Sequence, residues 1–335
     1  MSVTIKDIAR VCNVSYSTVS RVLNEKYVRQ SPRNERILST ARTLGYQPNR
    51  LAVQLVKKQA NMIGLMIPDV ANPHYSEITK NVEDAAFNAG YQLLLCNSDW
   101  DVNKEAMYRD TLVSCRVAGI IVMPVCDQSH VIFRGLDVPV VLLGSRTEEA
   151  TLSSVVMDNV SASFRATEYL ISLGHRKLAY IGRKVTNYTS ADRVKGFELA
   201  AAKYQIAPND AVLEVSDSYK LEGGYHIGAK LFDRPDPPTG IVAFSDFIAI
   251  GAIQAAEERG LRVGRDISII GFDDISFSAL TKINLTTITP SNQLLAQKAL
   301  QIALEQAEDK ANRPRTVVLE PKMIVRDTCL QKETV

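Results

Sequence analysis

Tyr16, Ser17, Ser20 and Arg21 put a phenol, two hydroxyls and a guanidinium into six consecutive residues, at a spacing that a helix turns to one side. Val19, Val22 and Leu23 fall on the other side. A short helix with an apolar back and hydrogen-bonding groups near its start is what a recognition helix offers to base edges in a major groove. The residues that must hold it there come just before. Thr4 is placed to cap a first helix, with Asp7 three residues on as in a capping box. Cys12-Asn13-Val14 is a turn of the length that joins two crossed helices, with Asn13 where left-handed backbone is needed. Ser15 caps the second helix, which runs from Tyr16 to Asn24.

Charge agrees with this reading. Residues 1–60 hold four Lys and seven Arg against one Asp and two Glu, a net +8; the whole chain nets +2, which leaves −6 for residues 61–335. Such a division suits a headpiece that neutralises phosphates and a body that does not cling to them. The plainer alternative is a helical cap with a solvated basic face. Charge, helix spacing and turn length together favour double-stranded DNA as the partner.

A third helix opens at Ser31-Pro32, carries Ile37, Leu38, Ala41 and Leu44 at helical spacing, and stops at Gly45. Gln47-Pro48 then forces extended backbone. Residues 49–56 form a short segment with Leu51, Ala52, Leu55 and Val56 on one face. So short a helix is marginal in water, so it forms only when something holds it. A linker that merely packs on the body is the alternative.

From Asn61 onward, short apolar runs alternate with helical stretches: 62–67, 93–96, 120–123 and 140–143, then 177–181, 211–215, 241–244 and 267–271. Buried runs alternating with helices predict parallel sheets in βαβ units, and two series predict two open-sheet lobes with a ligand in the cleft at the strand ends. The expected fold is an all-α helix-turn-helix headpiece followed by an α/β two-lobed body.

Several function classes are excluded by pattern. The four His and the scattered Cys12, Cys96, Cys115, Cys126 and Cys329 lack metal-ligand spacing, so neither a metal nor a disulfide is expected. The chain has no nucleophile elbow, Walker-type loop or dinucleotide fingerprint, so no catalytic residue and no cofactor is assigned. Asp273-Asp274 is an adjacent pair at a strand end, where side chains diverge rather than converge on one atom. No apolar run is long enough to span a bilayer and nothing at the start resembles a signal peptide, so a cytoplasmic protein without a membrane partner is expected.

Thr4-Ile-Lys-Asp-Ile-Ala9, Val14-Ser-Tyr-Ser-Thr-Val-Ser-Arg-Val-Leu-Asn24 and Leu44-Gly-Tyr-Gln-Pro-Asn-Arg50 resemble the opening of the lactose-repressor (LacI/GalR) family, and the likeness runs on to about Thr328. The resemblance implies a headpiece over 1–48, a hinge helix and linker over 49–60, and a body over 61–330 that resembles periplasmic sugar-binding proteins. In such a body the chain crosses between lobes three times, here near Asp158, Thr289 and Pro321. The first lobe is then about 61–158 with 290–320, and the second about 159–289 with 321–330. The implied protein is a homodimeric, allosteric, carbohydrate-responsive repressor on a pseudo-palindromic operator. Tyr16 and Ser17 reach base edges, Arg21 a base or a phosphate, and Asn24 the backbone; Thr4, Ser15 and Ser20 complete the headpiece contacts. Asn49, Ala52, Leu55 and Lys57 belong to the hinge, with Leu55 at the position that wedges between base pairs in the minor groove. Only a few polar residues follow Cys329, so no tetramerising helix is expected. A corepressor-dependent or phosphocarrier-recruited regulator of the same fold is the alternative, and a sugar-binding protein without DNA binding a more distant one.

For the cleft, the resemblance points to Arg193 and Asp273 as a donor fork and an acceptor facing each other across apolar walls, a pairing that suits a polyhydroxylated ligand. Tyr75 and Tyr219 supply rings and Thr189 and Ser245 hydrogen bonds, with Asn187 in the same effector-binding set. His74 divides evenly between cleft contact and loop packing, Arg193 has a competing reading as a structural ion pair, and Asp246 reads as a helix cap. Many relatives carry an acidic residue after the strand at 140–143, where this chain has Gly144-Ser145-Arg146. With Arg183 and Lys184, that departure makes the cleft more basic and raises the expectation of a sugar acid or sugar phosphate.

Overall fold

A computed structural model describes residues 3–24, 31–46, 61–147, 151–183, 188–216, 218–309, 311 and 313–331. The chain divides into two units, Met1–Ala60 and Asn61–Val335. Asn49, Ala52, Leu55, Lys57, Lys184 and Asn187 lie outside the described residues, as do the side chains of Asn24 and Arg183.

The headpiece has three described helices: α1 (Ile5–Cys12), α2 (Tyr16–Asn24) and α3 (Pro32–Thr43). Their ends are set by local chemistry. The Thr4 amide and hydroxyl both donate to Asp7 Oδ2, at 3.0 and 2.6 Å. Asn13 takes left-handed backbone at φ 53°, and Ser15 Oγ accepts the Thr18 amide at 3.2 Å. Ser31 Oγ accepts the Asn34 amide at 3.2 Å ahead of α3. At its far end Gly45, at φ 63°, lets its own amide reach the Arg42 carbonyl while the Tyr46 amide reaches that of Ala41, a Schellman closure. Leu44, expected on the buried stripe, is instead the exposed capping residue of α3. Ile8, Ala9 and Cys12 meet Val19, Val22, Ile37 and Ala41 in the small core between the helices.

Among the described residues the body has two six-stranded sheets. Strands β1 (Met62–Ile67), β2 (Gln92–Asn97), β3 (Gly119–Val122), β4 (Val140–Leu143) and β5 (Ser153–Met157) belong to the first. Strands β6 (Leu178–Arg183), β7 (Ala211–Ser216), β8 (Gly240–Ala243), β9 (Ser268–Phe272) and β10 (Thr286–Thr289) belong to the second. Each lobe gains a last strand late in the chain: β11 (Thr316–Leu319) and β12 (Lys322–Ile324). The orders are β11-β5-β4-β3-β1-β2 and β12-β10-β9-β8-β6-β7. All pairings are parallel except β10 with β12. Helices α4 (Pro73–Asn88) and α5 (Val102–Ser114) follow β1 and β2. The second lobe carries α6 (Asn159–Ser172), α7 (Tyr188–Lys203), α8 (Leu221–Phe232) and α9 (Asp246–Glu257). The chain leaves the first sheet after Met157 and returns after Thr289, since α10 (Asn292–Glu308) buries Leu295, Ala296 and Ala299 in the first lobe's core. It passes over again between Leu319 and Lys322.

Strands β5, β10, β11 and β12 have no counterpart among the apolar runs. Strands β5 and β10 are rich in Ser and Thr, which read as loop, yet both are buried because their hydroxyls are paired. Ser154 Oγ meets Thr316 Oγ1 at 2.9 Å, Ser153 Oγ accepts from Gln306 at 2.9 Å, and Thr286 Oγ1 donates to the Arg326 carbonyl at 3.2 Å. Each bond removes the cost of hiding a polar group. Strands β11 and β12 are sheet edges with half-exposed side chains, so no continuous apolar run marks them.

Helices α8 and α9 approach backbone to backbone. A Cβ on Gly251 would lie 2.0 Å from the Leu221 carbonyl oxygen, and one on Gly224 2.0 Å from that of Ile248. No side-chain rotation relieves either clash, so Gly251→Ala will destabilise the body by about 1–3 kcal/mol, read as a lower denaturation midpoint; an unchanged midpoint would refute this close fit.

Candidate functional site

The seven described cleft candidates His74, Tyr75, Thr189, Arg193, Tyr219, Ser245 and Asp273 line one cavity between the lobes, partly open to solvent. Its walls are otherwise largely apolar, including Ile78, Met123, Leu143, Ile248, Ile288 and Leu295.

Arg193, on α7, is the most buried cation of the site and is held from several sides. Its Nε donates to Asn159 Oδ1 at 2.9 Å, and a further N–H donates to the Phe244 carbonyl. The guanidinium carbon lies 4.2 Å from the Phe272 ring centroid and 4.8 Å from that of Phe244. Its Nη2 is 3.8 Å from Asp273 Oδ1. Both charges therefore come from the second lobe and sit side by side, which corrects the expectation that they face each other across the cleft. The physical reason is that Asp273 follows β9, and α7, carrying Arg193, packs in the same lobe. The group opposite is His74, from α4 of the first lobe, with Nδ1 at 3.8 Å from Asp273 Oδ1. That buried Nδ1 has no hydrogen-bond partner among the described residues.

Asp273 and Asp274 both take positive φ, at 107° and 52°, a costly conformation for residues with a Cβ. Their side chains diverge: Asp274 pairs with Arg326 Nη2 at 2.6 Å, while Asp273 turns into the cleft. Burial pushes the Asp273 carboxyl above the usual carboxylate range, against the pull of His74 and Arg193.

Asp246 is not the cap it was expected to be. Ser245 caps α9 by accepting the Ile248 amide at 3.3 Å, which puts Asp246 one residue inside the helix. Asp246 is fully buried and accepts from Thr287 Oγ1 at 2.5 Å, Ser278 Oγ at 2.6 Å and the Ile275 amide at 3.0 Å. It thus fixes the loop that bears Asp273.

Among the described residues, four direct hydrogen-bonded or ion-paired ties around the cavity join the lobes besides the His74–Asp273 pair. Thr189 Oγ1 donates to the Gly144 carbonyl at 2.7 Å, so the proton expected to serve a ligand is already placed. The Tyr188 amide donates to Asp127 Oδ1 at 3.0 Å and the Ser276 amide to Glu77 Oε1 at 2.7 Å. Arg146 Nη2 pairs with Asp192 at 3.0 Å, so the cation counted toward an anionic ligand is engaged by a carboxylate and is absent from the cavity lining.

Three lining residues were missed in the sequence. Asn159 orients Arg193, and Asn292 has a buried Oδ1 with no hydrogen-bond partner among the described residues. Trp100 follows β2 and stacks on Tyr219 with centroids 4.2 Å apart and planes 19° from parallel. It stands four residues past Cys96, where the apolar run has given way to the polar Asn97-Ser98-Asp99, so the run itself does not mark it.

In the headpiece, Tyr16 is 52% exposed, Ser17 and Arg21 are exposed and Ser20 is half-buried, all on α2. Ser15 Oγ and Ser17 Oγ lie 2.9 Å apart.

A family profile described as bacterial regulatory proteins, lacI family, matches residues 4–49, and one described as a periplasmic binding protein-like domain matches residues 167–329. The HTH-type transcriptional regulator DegA of Bacillus subtilis (strain 168) is 33% identical over 332 residues, covering 97% of this chain and 98% of that protein. Among solved structures, the Lac repressor dimer bound to operator and the anti-inducer ONPF superposes with a TM-score of 0.87 at 27% identity, over 98% of this chain and 100% of that one. A LacI family transcriptional regulator from Enterococcus faecium with bound ribose gives 0.71 at 26% identity, over 81% and 99%. A helix-turn-helix headpiece joined to a two-lobed, periplasmic-binding-protein-like body defines a DNA-binding transcriptional regulator rather than an enzyme. The chain belongs to the lacI family of bacterial regulatory proteins.

Proposed function

We propose that the chain acts as a homodimeric repressor whose operator binding is released by a small sugar-type effector in the cleft. The observation that carries this reading is the grouping of Arg193, Asp273 and His74 in an otherwise apolar and aromatic cavity. A guanidinium fork, a carboxylate and a ring nitrogen supply donors and acceptors for hydroxyls, and Tyr75 with the edges of Trp100 and Tyr219 supplies apolar surface for C–H groups. Arg193 is balanced by Asp273 and Arg146 by Asp192, so a neutral sugar fits better than a sugar acid or phosphate. Titrating neutral and anionic forms of one sugar decides this; tighter binding of the anionic form would reverse it.

The operator side follows from the headpiece. A dimer presents two copies of α2 to the half-sites of a pseudo-palindrome. Effector and operator affinities are then coupled reciprocally, through the spacing of the two hinge segments. Replacing Leu55 with Ala will weaken specific binding far more than non-specific binding, because the wedge acts only in the bent specific complex. Tyr16→Ala will cost about 1–3 kcal/mol of specific binding and relax selectivity at one operator position, measured by anisotropy on single-base operator variants; a uniform loss across all variants would reassign Tyr16 to the backbone. Among the described residues no helix is long and apolar enough to cross a membrane.

Sequencing of genomic fragments captured by the purified protein without added ligand tests the whole reading. A symmetric site beside genes for sugar use is the expected result. No enrichment would overturn ligand-released repression in favour of an obligatory corepressor.

A further inference from the structure

We propose that Trp100 and Tyr219 form a clasp across the cleft mouth that limits the effector to a single sugar ring. The inference rests on the sugar reading above and adds to it a size class and a residue that sets it. Trp100 comes from the first lobe and Tyr219 from the second, so their stack bridges the cleft. Both rings line the cavity and are half-buried, while the adjoining Asp99 and Lys220 are exposed, which puts the stack at the rim. A sugar ring sandwiched between two aromatic faces needs two contacts of about 3.5–4 Å, or roughly 7–8 Å between planes. The centroids here are 4.2 Å apart. No ring fits between them, so the effector occupies the space beneath. A second sugar unit would have to leave through the mouth that the stack closes.

The clasp is built rather than incidental. Asp99 and Trp100 both take left-handed backbone, at φ 51° and 60°, which is uncommon for two consecutive residues other than glycine. The strain is held by Asn97, whose Nδ2 donates to Asp99 Oδ1 at 2.7 Å while its Oδ1 accepts the Val70 amide at 2.9 Å. Lys104 also pairs with Asp99, and Asp101 caps α5 by accepting the Asn103 amide at 2.7 Å. Tyr75 meets Trp100 edge-on at 5.9 Å, so the indole is braced from its own lobe. The four polar ties that join the lobes hold them at the separation the stack requires.

Trp100 is the only tryptophan in the chain, so its emission reports the stack without any ligand. The wild type, Trp100→Ala, Trp100→Phe and Tyr219→Ala are titrated by calorimetry with single-ring probes (ribose, xylose, glucose, galactose, fructose) and two-ring probes (maltose, cellobiose, lactose). Circular dichroism checks each fold. The expected result is single-ring binding only in the wild type and in Trp100→Phe, with selectivity shifting toward two-ring probes by about tenfold or more in the two alanine variants. Two-ring binding as tight as single-ring binding in the wild type overturns the clasp, and so does an equal loss of both classes in Trp100→Ala, which would mean a sandwiched ligand. Unchanged emission between ligand-free wild type and Tyr219→Ala also overturns it, whatever binds. Failure of every probe with every protein overturns the sugar reading itself and the size limit with it.

Discussion

Replacing Arg193 with Ala will leave the repressor bound to its operator and remove its release by effector. The guanidinium is the cavity's strongest donor, and its position is fixed by Asn159, the Phe244 carbonyl and two ring faces rather than by the ligand. A ligand hydroxyl therefore meets a donor that is already oriented, which keeps the ordering cost of binding low. Truncation leaves the buried Asp273 carboxylate with only His74 opposite, and takes the Arg193 donor away from Asn159 Oδ1 and the Phe244 carbonyl. Loss of one partner from such a set costs about 2–5 kcal/mol, roughly 30-fold to several thousandfold in effector affinity. The headpiece folds around its own core, so operator affinity without effector stays near wild type. Arg193→Lys keeps the charge but not the planar fork, and will fall between the two. Anisotropy on labelled operator with rising effector measures both limbs. Release of Arg193→Ala at wild-type effector concentrations would remove the cleft from the mechanism.

How much of this was visible in the chain depends on the range of the rule involved. The headpiece turns are written in single residues, because caps and left-handed positions are local: Thr4 with Asp7, Asn13, Ser15, Ser31-Pro32 and Gly45 each specify one backbone feature. The central strands show as apolar runs because parallel strands are buried on both faces. Strands β5 and β10 do not, since their burial depends on hydroxyl partners such as Thr316 and Asp246, found only once the sheets exist. The cleft follows the same division. Strand-end loops pointed to Tyr75, Ser245 and Asp273, but the side-by-side placement of Arg193 and Asp273 depends on which lobe each element joins. The stack of Trp100 on Tyr219 joins two residues more than a hundred positions apart, which no local pattern encodes.

Asp246→Ala will be the most destabilising of the substitutions considered, and its effect will reach the cleft. The carboxylate collects three donors from two segments: the Ile275 amide and Ser278 hydroxyl after β9, and the Thr287 hydroxyl on β10. Deleting it buries donors without partners at about 1–3 kcal/mol each, partly relieved by hydroxyl rotation, for a net loss of about 3–5 kcal/mol in denaturant unfolding of the body. Asp246→Asn keeps an acceptor and the volume, and will lose less. The pair also separates charge from shape. Burial, followed by repulsion from Asp273, holds the Asp246 carboxyl well above the usual range, and its hydrogen bonds offset this only in part. In the unfolded chain it ionises near about 3.9. Between that value and the raised folded one, the folded protein keeps a proton that the unfolded chain has released. This carboxyl's contribution to stability therefore falls as pH rises through that window, and is level above it. Subtracting the Asp246→Asn curve from the wild type across pH isolates that slope; a flat difference would mean that Asp246 titrates normally despite its burial. Asp246→Ala also frees the Ile275 amide, two residues past Asp273, whose backbone at φ 107° persists only while the loop is pinned. Effector affinity will therefore fall with stability in Asp246→Ala, although Asp246 itself is absent from the cavity lining.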